Sequence, residues 1–425
     1  MSSNTKGIQK AFILWVSGVR LDDIRALAEV ESLMEQGVLI ELDPSPITGP
    51  QAQHYQLLSG WLPACFGFFD TLMPLCHLPN QRGANTYDVV EKHTGWDVAP
   101  KMLPELLNAA GWMTEYVETA PTELVQCAQR LTRSQAIDAS CKIVKCTLAG
   151  DGQLTVSTGA EAIAEALRVA RSWVGEAGML ALLSDTQQAP VECFLNINNF
   201  LAEMNLIELD EQSHQIDWAG SLAYYVGHGQ LWINLLGREP QGVVHPQDEY
   251  EEVRDTLIKV LPIKLRDPQT GMPVIERVYR REELYPDQYL FCAPDLVILF
   301  KPGYAPSPRS AHLEFDESTF TVPVAGTVVM SGAHPSLLRG FLLVSAPSMI
   351  SGVSVSEPAP LISVVPSLLH AFAVEHAEVE GSALGCLFKP SYLEINPIRT
   401  DRQSQELSEE DEQLVIERLR DLGYI

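Results

Sequence analysis

Basic residues are scarce in this chain of 425 amino acids. It contains 29 Lys and Arg residues against 55 Asp and Glu residues, which gives a formal net charge of -26 at pH 7. Binding to nucleic acid needs a positively charged surface, because contacts to phosphate groups supply much of the affinity. The charge balance therefore predicts that nucleic acid is not a partner.

Long hydrophobic runs are also lacking. The N-terminal segment MSSNTKGIQKAFILWVSGV has an apolar run too short for a signal peptide, and it has no convincing cleavage site. No other run approaches the roughly 20 apolar residues that a membrane-spanning helix needs. We therefore predict no membrane insertion and a cytoplasmic location.

The chain has eight cysteines but no Cys-x-x-Cys pair. Several of these cysteines lie in apolar segments such as CKIVKC and LFCAPDL. This pattern favours buried free thiols in a reducing compartment over disulfides or a zinc ribbon. Cysteine usage thus agrees with the cytoplasmic prediction.

What the sequence does contain is an alternation of apolar runs and amphipathic stretches. The run at 11–17 predicts a buried parallel strand, 21–35 has helical apolar spacing, and 38–42 predicts a second strand. Further predicted helices are 104–110, 120–131, 160–174, 195–204 and 361–373, and further predicted strands are 111–118, 141–148, 179–183 and 340–344. This order predicts a doubly wound, mostly parallel α/β sheet with helices on both faces. In such sheets, functional sites gather at the carboxyl ends of the strands.

No internal repeat or low-complexity linker divides the chain, so a single domain over 1–425 is predicted. Residues 68–100 and 300–330 lack clear periodicity, and we interpret them as loop or cap insertions. The closing segment LSEEDEQLVIERLRDLGYI predicts a C-terminal helix over 405–425, with Ser408 as the N-cap over an acidic first turn.

The stretch from 218 to 300 carries the most specific pattern. Aromatic and branched residues at 222–226 and 230–235 flank Gly227 and Gly229, which predicts two strands around a tight bend. Residues 248–260 have helical spacing behind an acidic first turn. Taken alone, these features indicate a buried, turn-rich subdomain.

Four segments in this stretch resemble, in their order, the core of a known family. They are AYYVGHGQLWINLLGREPQGVV, DPQTG, REELY and APDLVILF. That family is the phosphodiesterase and nucleotide pyrophosphatase branch of the alkaline phosphatase superfamily. The resemblance implies an alkaline-phosphatase-like fold. In the active enzymes of the family, two divalent metals, usually zinc, surround a Thr or Ser nucleophile.

Two family positions near the N-terminus carry other residue types here. The segment VSGVR places Ser17 where the family has a metal-binding Asp, and a neutral hydroxyl is a poor substitute for an anionic ligand. The segment GPQAQHYQLLSG places Pro50 at the nucleophile position, and proline has no side-chain oxygen to activate. Thr48 lies two residues upstream and is the candidate nucleophile if the loop is remodelled; otherwise it would cap the following helix.

Three further family motifs keep only part of their ligands. In AGDGQLTVSTG the Asp position is Asp151, but the His position is Thr155. The family's Ser-Asp-His-Gly keeps Asp185 and replaces its His by Thr186. The Gly-x-His motif appears in SGAHPSL and gives His334.

The resemblance implies that one metal would keep Asp151 and His334, and the other only Asp185. Catalytic zinc normally takes three protein ligands. We therefore expect a catalytically impaired, phosphodiesterase-like protein without a cofactor, which acts as a binding or scaffolding subunit. Its partner would be a protein or a small phosphorylated ligand. The side chains that would face a ligand, or would simply fill the vacated site, are Ser17, Thr155 and Thr186.

The alternative is an active, metal-dependent phosphoesterase or phosphodiesterase with a non-standard site. It would use Thr48 as the nucleophile and one zinc or manganese ion at Asp151, His334 and Asp185. The apolar segment WLPACFGFFDTLMPL is consistent with a partner surface and equally with core packing.

Overall fold

The computed structural model describes residues 8–44, 49–62, 73–74, 87, 89–90, 100–133, 140–148, 156–285, 290–375 and 379–398. Its strands are β1 (Lys10–Ser17), β2 (Val38–Asp43), β3 (Met73–Pro74), β4 (Val89–Val90), β5 (Met113–Thr119), β6 (Ser140–Thr147), β7 (Met179–Ser184), β8 (Ala189–Pro190), β9 (Cys193–Leu195), β10 (Glu208–Leu209), β11 (Ile216–Asp217), β12 (Ala223–Val226), β13 (Gln230–Ile233), β14 (Ile275–Arg280), β15 (Leu296–Phe300), β16 (Tyr304–Pro306), β17 (Phe320–Thr321), β18 (Val328–Val329), β19 (Gly340–Ser345) and β20 (Val353–Pro360). Its α-helices are α1 (Leu21–Ile24), α2 (Ala28–Gln36), α3 (Pro50–Ser59), α4 (Leu103–Ala109), α5 (Leu124–Arg133), α6 (Val156–Val174), α7 (Ile197–Glu203), α8 (Asp248–Lys264), α9 (Arg281–Leu284), α10 (Val364–Ala371) and α11 (Pro390–Ile395).

A seven-stranded sheet in the order β20-β2-β19-β7-β1-β6-β5 forms the centre of the molecule. Strand β19 runs antiparallel to both of its neighbours, and the other pairings are parallel. Six strands therefore end at one edge, where β19 begins. This arrangement confirms the predicted mostly parallel α/β fold.

The alternation of side chains along β1 fills a core on each face of this sheet. Ile13 and Trp15 point to the face covered by α3, α4 and α10. Phe12 and Leu14 point to the opposite face, which α2, α5 and α6 cover. A strand buried on both faces reads as a continuous apolar run, which explains the sequence AFILWV.

A second, four-stranded sheet in the order β12-β13-β15-β14 lies in the stretch that carries the family resemblance. Strands β12 and β13 form the predicted hairpin, and α8 packs against this sheet over a longer span than the predicted 248–260. The fully buried Asp295 accepts hydrogen bonds from the Arg238 guanidinium at 2.7 and 2.5 Å and from the Tyr250 hydroxyl at 2.6 Å. The GREP loop and the APDLVIL strand are thus joined by a buried ion pair.

Several predicted helices begin or end elsewhere. The single helix predicted over 21–35 is two helices, α1 and α2, because Leu27 adopts an extended conformation between them. The helix predicted over 195–204 is shorter, because Leu195 is the last residue of β9 and α7 starts only after Asn196. The Asn196 side chain accepts a hydrogen bond from the Asn199 N–H. The segments predicted as helices over 120–131 and 361–373 both open with a 3-10 turn, at Pro121–Glu123 and Leu361–Ser363.

The predicted insertions and the C-terminal helix are described only in part. Residues 405–425 and most of 68–100 lie outside the described residues. Within 300–330, strands β16 and β17 pair with β9, and β18 pairs with β8. Whether 300–330 acts as a cap remains a prediction.

Candidate functional site

The carboxyl ends of β1, β6 and β7 meet at one edge of the central sheet. Ser17, the last residue of β1, pairs with Thr147 at the end of β6. On the other side, the Gly18 N–H donates a 2.9 Å hydrogen bond to the carbonyl of Thr186. The structure therefore brings Ser17 to the strand end next to Asp185 and Thr186, which are far from it in the sequence.

Asp185 is buried at this edge, with 4% of its surface exposed. Its Oδ1 accepts a 3.0 Å hydrogen bond from the indole Nε1–H of Trp15. Trp15 lies two residues before Ser17, so the two side chains share one face of β1. The carboxylate predicted as a residual metal ligand is thus bound by a tryptophan.

Helix α3 covers the same face and contributes an imidazole. Because α3 follows β2, it starts at the carboxyl edge of the sheet and runs back over it. His54 of α3 stacks on the Trp15 ring, with 4.6 Å between the ring centroids. The Nζ of Lys145, the register partner of Trp15 on β6, lies 5.1 Å from the centroid of the indole ring and 3.4 Å from the carboxylate of Glu118 on β5. We call Trp15, His54, Glu118, Lys145 and Asp185 the edge cluster.

Burial and charge set the ionisation of this cluster. Burial, with a smaller contribution from Lys145, lowers the pKa of His54 to about 4 against the opposing effects of Asp185 and Glu118. Burial raises the pKa of Glu118, but the hydrogen bond from the Tyr116 hydroxyl and the charge of Lys145 outweigh it, so the pKa of Glu118 is lowered overall. At neutral pH His54 is therefore an uncharged imidazole beside ionised Glu118.

The two hydroxyl residues predicted to face a ligand at this edge differ in their contacts. Ser17 is 4% exposed, and its Oγ has no hydrogen-bond partner among the residues that the structure describes. Thr186 is 2% exposed, and its Oγ1 donates to the carbonyl of Met330 at 3.2 Å. The Met330 side chain also lies against Gly18, since an added Cβ there would be 3.0 Å from its sulfur. The segment around Met330 thus covers this edge, and Thr186 serves to attach it.

His334 makes separate contacts. Its Nδ1 accepts a 3.2 Å hydrogen bond from the Ser336 N–H and lies 2.7 Å from the Ser336 hydroxyl, so it caps the turn Pro335–Leu337. Its Nε2 is 3.3 Å from a carboxylate oxygen of Glu276 on β14. Both ring nitrogens are thus engaged by groups other than Asp185.

A small cavity separates α3 from the second sheet near this segment. It has a volume of about 20 Å³, which is room for roughly one water molecule. Its lining includes Gln53 of α3, His228 of the β12–β13 turn and Ala333.

The remaining predicted site residues, Thr48, Asp151 and Thr155, lie outside the described residues. Helix α3 begins after Gly49, with Pro50 as its first residue, so the family's nucleophile position is the first turn of a helix. Within the described part of the chain, no group of three or more His, Cys, Asp or Glu side chains is placed to hold a metal ion.

The described residues do not fit the two-metal centre of the active enzymes in the family that the sequence resembles. Ser17 offers a neutral hydroxyl where an anion would be needed, and the Thr186 hydroxyl is donated to a carbonyl. Asp185 has one oxygen bound by an indole N–H. A catalytic zinc ion needs about three protein ligands with free lone pairs directed at one point.

Trp15, His54 and Lys145 carry no motif that marks them as site residues in the sequence. Trp15 and Lys145 lie inside strands that were interpreted only as core. One signal was available: Trp15 precedes Ser17 by two residues and Lys145 precedes Thr147 by two, so each pair must share a face of the sheet.

No protein-family model and no curated protein sequence matches this chain. Among solved structures it is similar to the murine ectonucleotide pyrophosphatase/phosphodiesterase 5, with a TM-score of 0.56 and 12% sequence identity. The similarity covers 88% of this chain and 98% of that chain. It confirms the alkaline-phosphatase-like fold that the family resemblance implied. At this identity the similarity establishes the fold alone.

In the described residues, no helix combines the length and the apolar character needed to cross a membrane.

Proposed function

We propose that this chain is a degenerate member of the phosphodiesterase branch, a pseudo-phosphatase that binds a partner without hydrolysing phosphoesters. The observation that carries this proposal is the hydrogen bond from Trp15 to Asp185, which ties the family carboxylate at this edge into a packed core. Metal-dependent phosphoryl transfer needs a metal ion that lowers the pKa of the nucleophile and stabilises charge on the transferring group. Among the described residues, no three His, Cys, Asp or Glu side chains are grouped to hold such an ion, which supports this proposal.

The other described family positions support the same conclusion. Ser17 is neutral, Pro50 lacks a nucleophilic atom, and His334 is engaged by Glu276 and Ser336. The two substitutions would remove a ligand and the nucleophile, and the contacts of His334 would occupy a ligand that the chain retains. A change of metal preference would not account for the loss of the nucleophile.

We propose that the retained fold serves as a binding or scaffolding subunit for a protein or a small phosphorylated ligand in the cytoplasm. The net charge of -26 disfavours nucleic acid as that partner. The described cysteines are free thiols, all of them buried except Cys386, which suits a reducing compartment.

A hydrolysis assay tests the loss of activity. The purified full chain is incubated with p-nitrophenyl phosphate and bis(p-nitrophenyl) phosphate, with added zinc or manganese and with EDTA. We expect rates equal to the protein-free background under every condition.

Thr48→Ala is the control for this assay. Metal-dependent turnover by the native chain that vanishes in Thr48→Ala would overturn the proposal in favour of the active phosphoesterase.

A further inference from the structure

The C-terminal end of α8 and the turn that follows it form one exposed surface. Arg266 joins its two parts, because its Nε donates to the carbonyl of Ile263 at 2.8 Å and its Nη1 donates to the carbonyl of Gly271 at 2.9 Å. The Asp267 N–H donates to the carbonyl of Met272 at 3.0 Å and closes the turn. Hydrogen bonds to the backbone therefore fix where Ile263 and Met272 lie relative to each other.

Both of these apolar side chains face water in the described part of the chain. Ile263 is 61% exposed, and Met272 is 59% exposed. A single exposed apolar residue needs no explanation, whereas neighbouring ones that polar groups surround are typical of interaction sites.

Positive charge surrounds the two apolar side chains, although the chain as a whole carries a charge of -26. Lys264, the last residue of α8, is exposed, and so is Arg266. Lys259 has a side chain that is 73% exposed, and it lies four residues before Ile263, on the same side of the helix. We call Lys259, Ile263, Lys264, Arg266 and Met272 the α8 surface.

The carboxylates nearest to these cations have other contacts. Asp267 is the only acidic residue between 263 and 272, and it accepts hydrogen bonds from the Thr270 N–H at 2.8 Å and the Tyr304 hydroxyl at 2.9 Å. Asp255 lies 3.9 Å from Lys259 but also pairs with Arg280. The α8 surface thus keeps an excess of positive charge.

We propose that the α8 surface binds an acidic, apolar segment of a protein partner. Carboxylates of the segment pair with Lys259, Lys264 and Arg266, and its apolar side chains cover Ile263 and Met272. A short segment fits better than an anionic membrane, because the first turn of the same helix carries three acidic residues that a broad negative surface would also meet.

This inference rests on the proposed binding role and names the class of its partner. Its test measures binding and not hydrolysis, so the two fail separately. Peptide binding by a chain that hydrolyses phosphoesters would overturn the loss of activity alone. An inactive chain that binds no peptide would overturn this inference alone.

The probe is a fluorescein-labelled synthetic peptide of four Glu-Leu-Leu-Glu repeats, and fluorescence anisotropy measures its binding to the full chain. We expect saturable binding that weakens as salt is added. Ile263→Ser and Met272→Ser should each raise Kd about tenfold, because each removes an apolar contact. Lys264→Glu should raise Kd about threefold and reduce the salt dependence.

Val324→Ser and Arg25→Glu are the matched controls. Val324 is 83% exposed and lies between β17 and β18, and Arg25 is an exposed cation at the end of α1. Both changes alter the same kinds of side chain outside the α8 surface, so Kd should stay at the native value. Thermal unfolding of every variant checks that the fold is intact, and unchanged Tm values are expected because all five positions are exposed.

Several results would overturn the proposal. Among these are an absence of peptide binding by the native chain and equal affinity for peptides with Lys in place of Glu or Ser in place of Leu. An unchanged Kd in both Ile263→Ser and Met272→Ser is another. Binding to phosphatidylserine vesicles that Met272→Ser abolishes would assign the surface to a membrane, and a dimer that Met272→Ser dissociates would assign it to a second copy of the chain.

Discussion

Ser17, Asp185 and Thr186 show how far single residues could be placed from the sequence. Each was assigned to the end of a strand, and parallel strands share the edge at which they end, so their proximity followed from the predicted sheet. The partner of Asp185 could not be predicted in this way. Trp15 is 170 positions away in the chain, and its N–H reaches Asp185 only because of the register between β1 and β7.

His54 provides a prediction at the scale of one residue. Its pKa is lowered to about 4 in the folded chain, compared with about 6.5 in an unfolded one. Between these values the unfolded chain binds more protons, so the free energy of unfolding falls as the pH drops from about 6.5 to 4, by roughly 3 kcal/mol. Chemical denaturation at pH 7, 6, 5 and 4 measures this slope.

His54→Phe, which keeps a ring on Trp15, should lose that part of the slope. His245→Gln is the control, because it removes an exposed histidine and leaves His54 stacked on Trp15. An identical slope in native and His54→Phe chains would show that His54 is not held neutral by the fold.

At the scale of elements, apolar runs predicted the buried strands well. Strands β1, β7 and β19 are buried on both faces, so their sequences carry an uninterrupted apolar signal. Helix boundaries were less predictable because local backbone geometry decides them. The break between α1 and α2 depends on the extended conformation of Leu27, an apolar residue that fits the helical spacing equally well.

The β12–β13 hairpin allows a direct test of a backbone requirement. Gly229 has φ +95°, and a Cβ there would lie 2.8 Å from the carbonyl oxygen of Ile298 on β15. Gly229→Ala therefore combines an unfavourable φ with a clash against a neighbouring strand, and we expect a loss of about 2–4 kcal/mol in the free energy of unfolding.

Gly237→Ala isolates the effect of φ alone. Gly237 has φ +85°, and nothing lies within 4 Å of its added Cβ. We expect a cost of about 1–2 kcal/mol. Denaturant titration measures the loss in free energy of unfolding for both variants. Equal losses would mean that β15 shifts to make room for the extra methyl group at Gly229.

At the scale of the whole molecule, we propose that the fold is retained while the catalytic chemistry is lost. The order of the sequence segments from AYYVG to DLVILF predicted an alkaline-phosphatase-like architecture. The structural similarity, which covers 88% of the chain, confirms this fold at only 12% sequence identity. The hydrophobic pattern specifies that architecture, and many sequences satisfy the same pattern. Catalysis instead depends on a few side chains at strand ends, and the proposed loss of activity requires changes only at those positions.

The metal content of the freshly purified native chain tests the central claim most directly. Because Asp185 is held by Trp15 and the neighbouring family ligands are replaced, we predict zinc and manganese far below one ion per chain by mass spectrometry, and the same content in Asp185→Asn. Stoichiometric zinc or manganese in the native chain that is lost in Asp185→Asn would contradict the account.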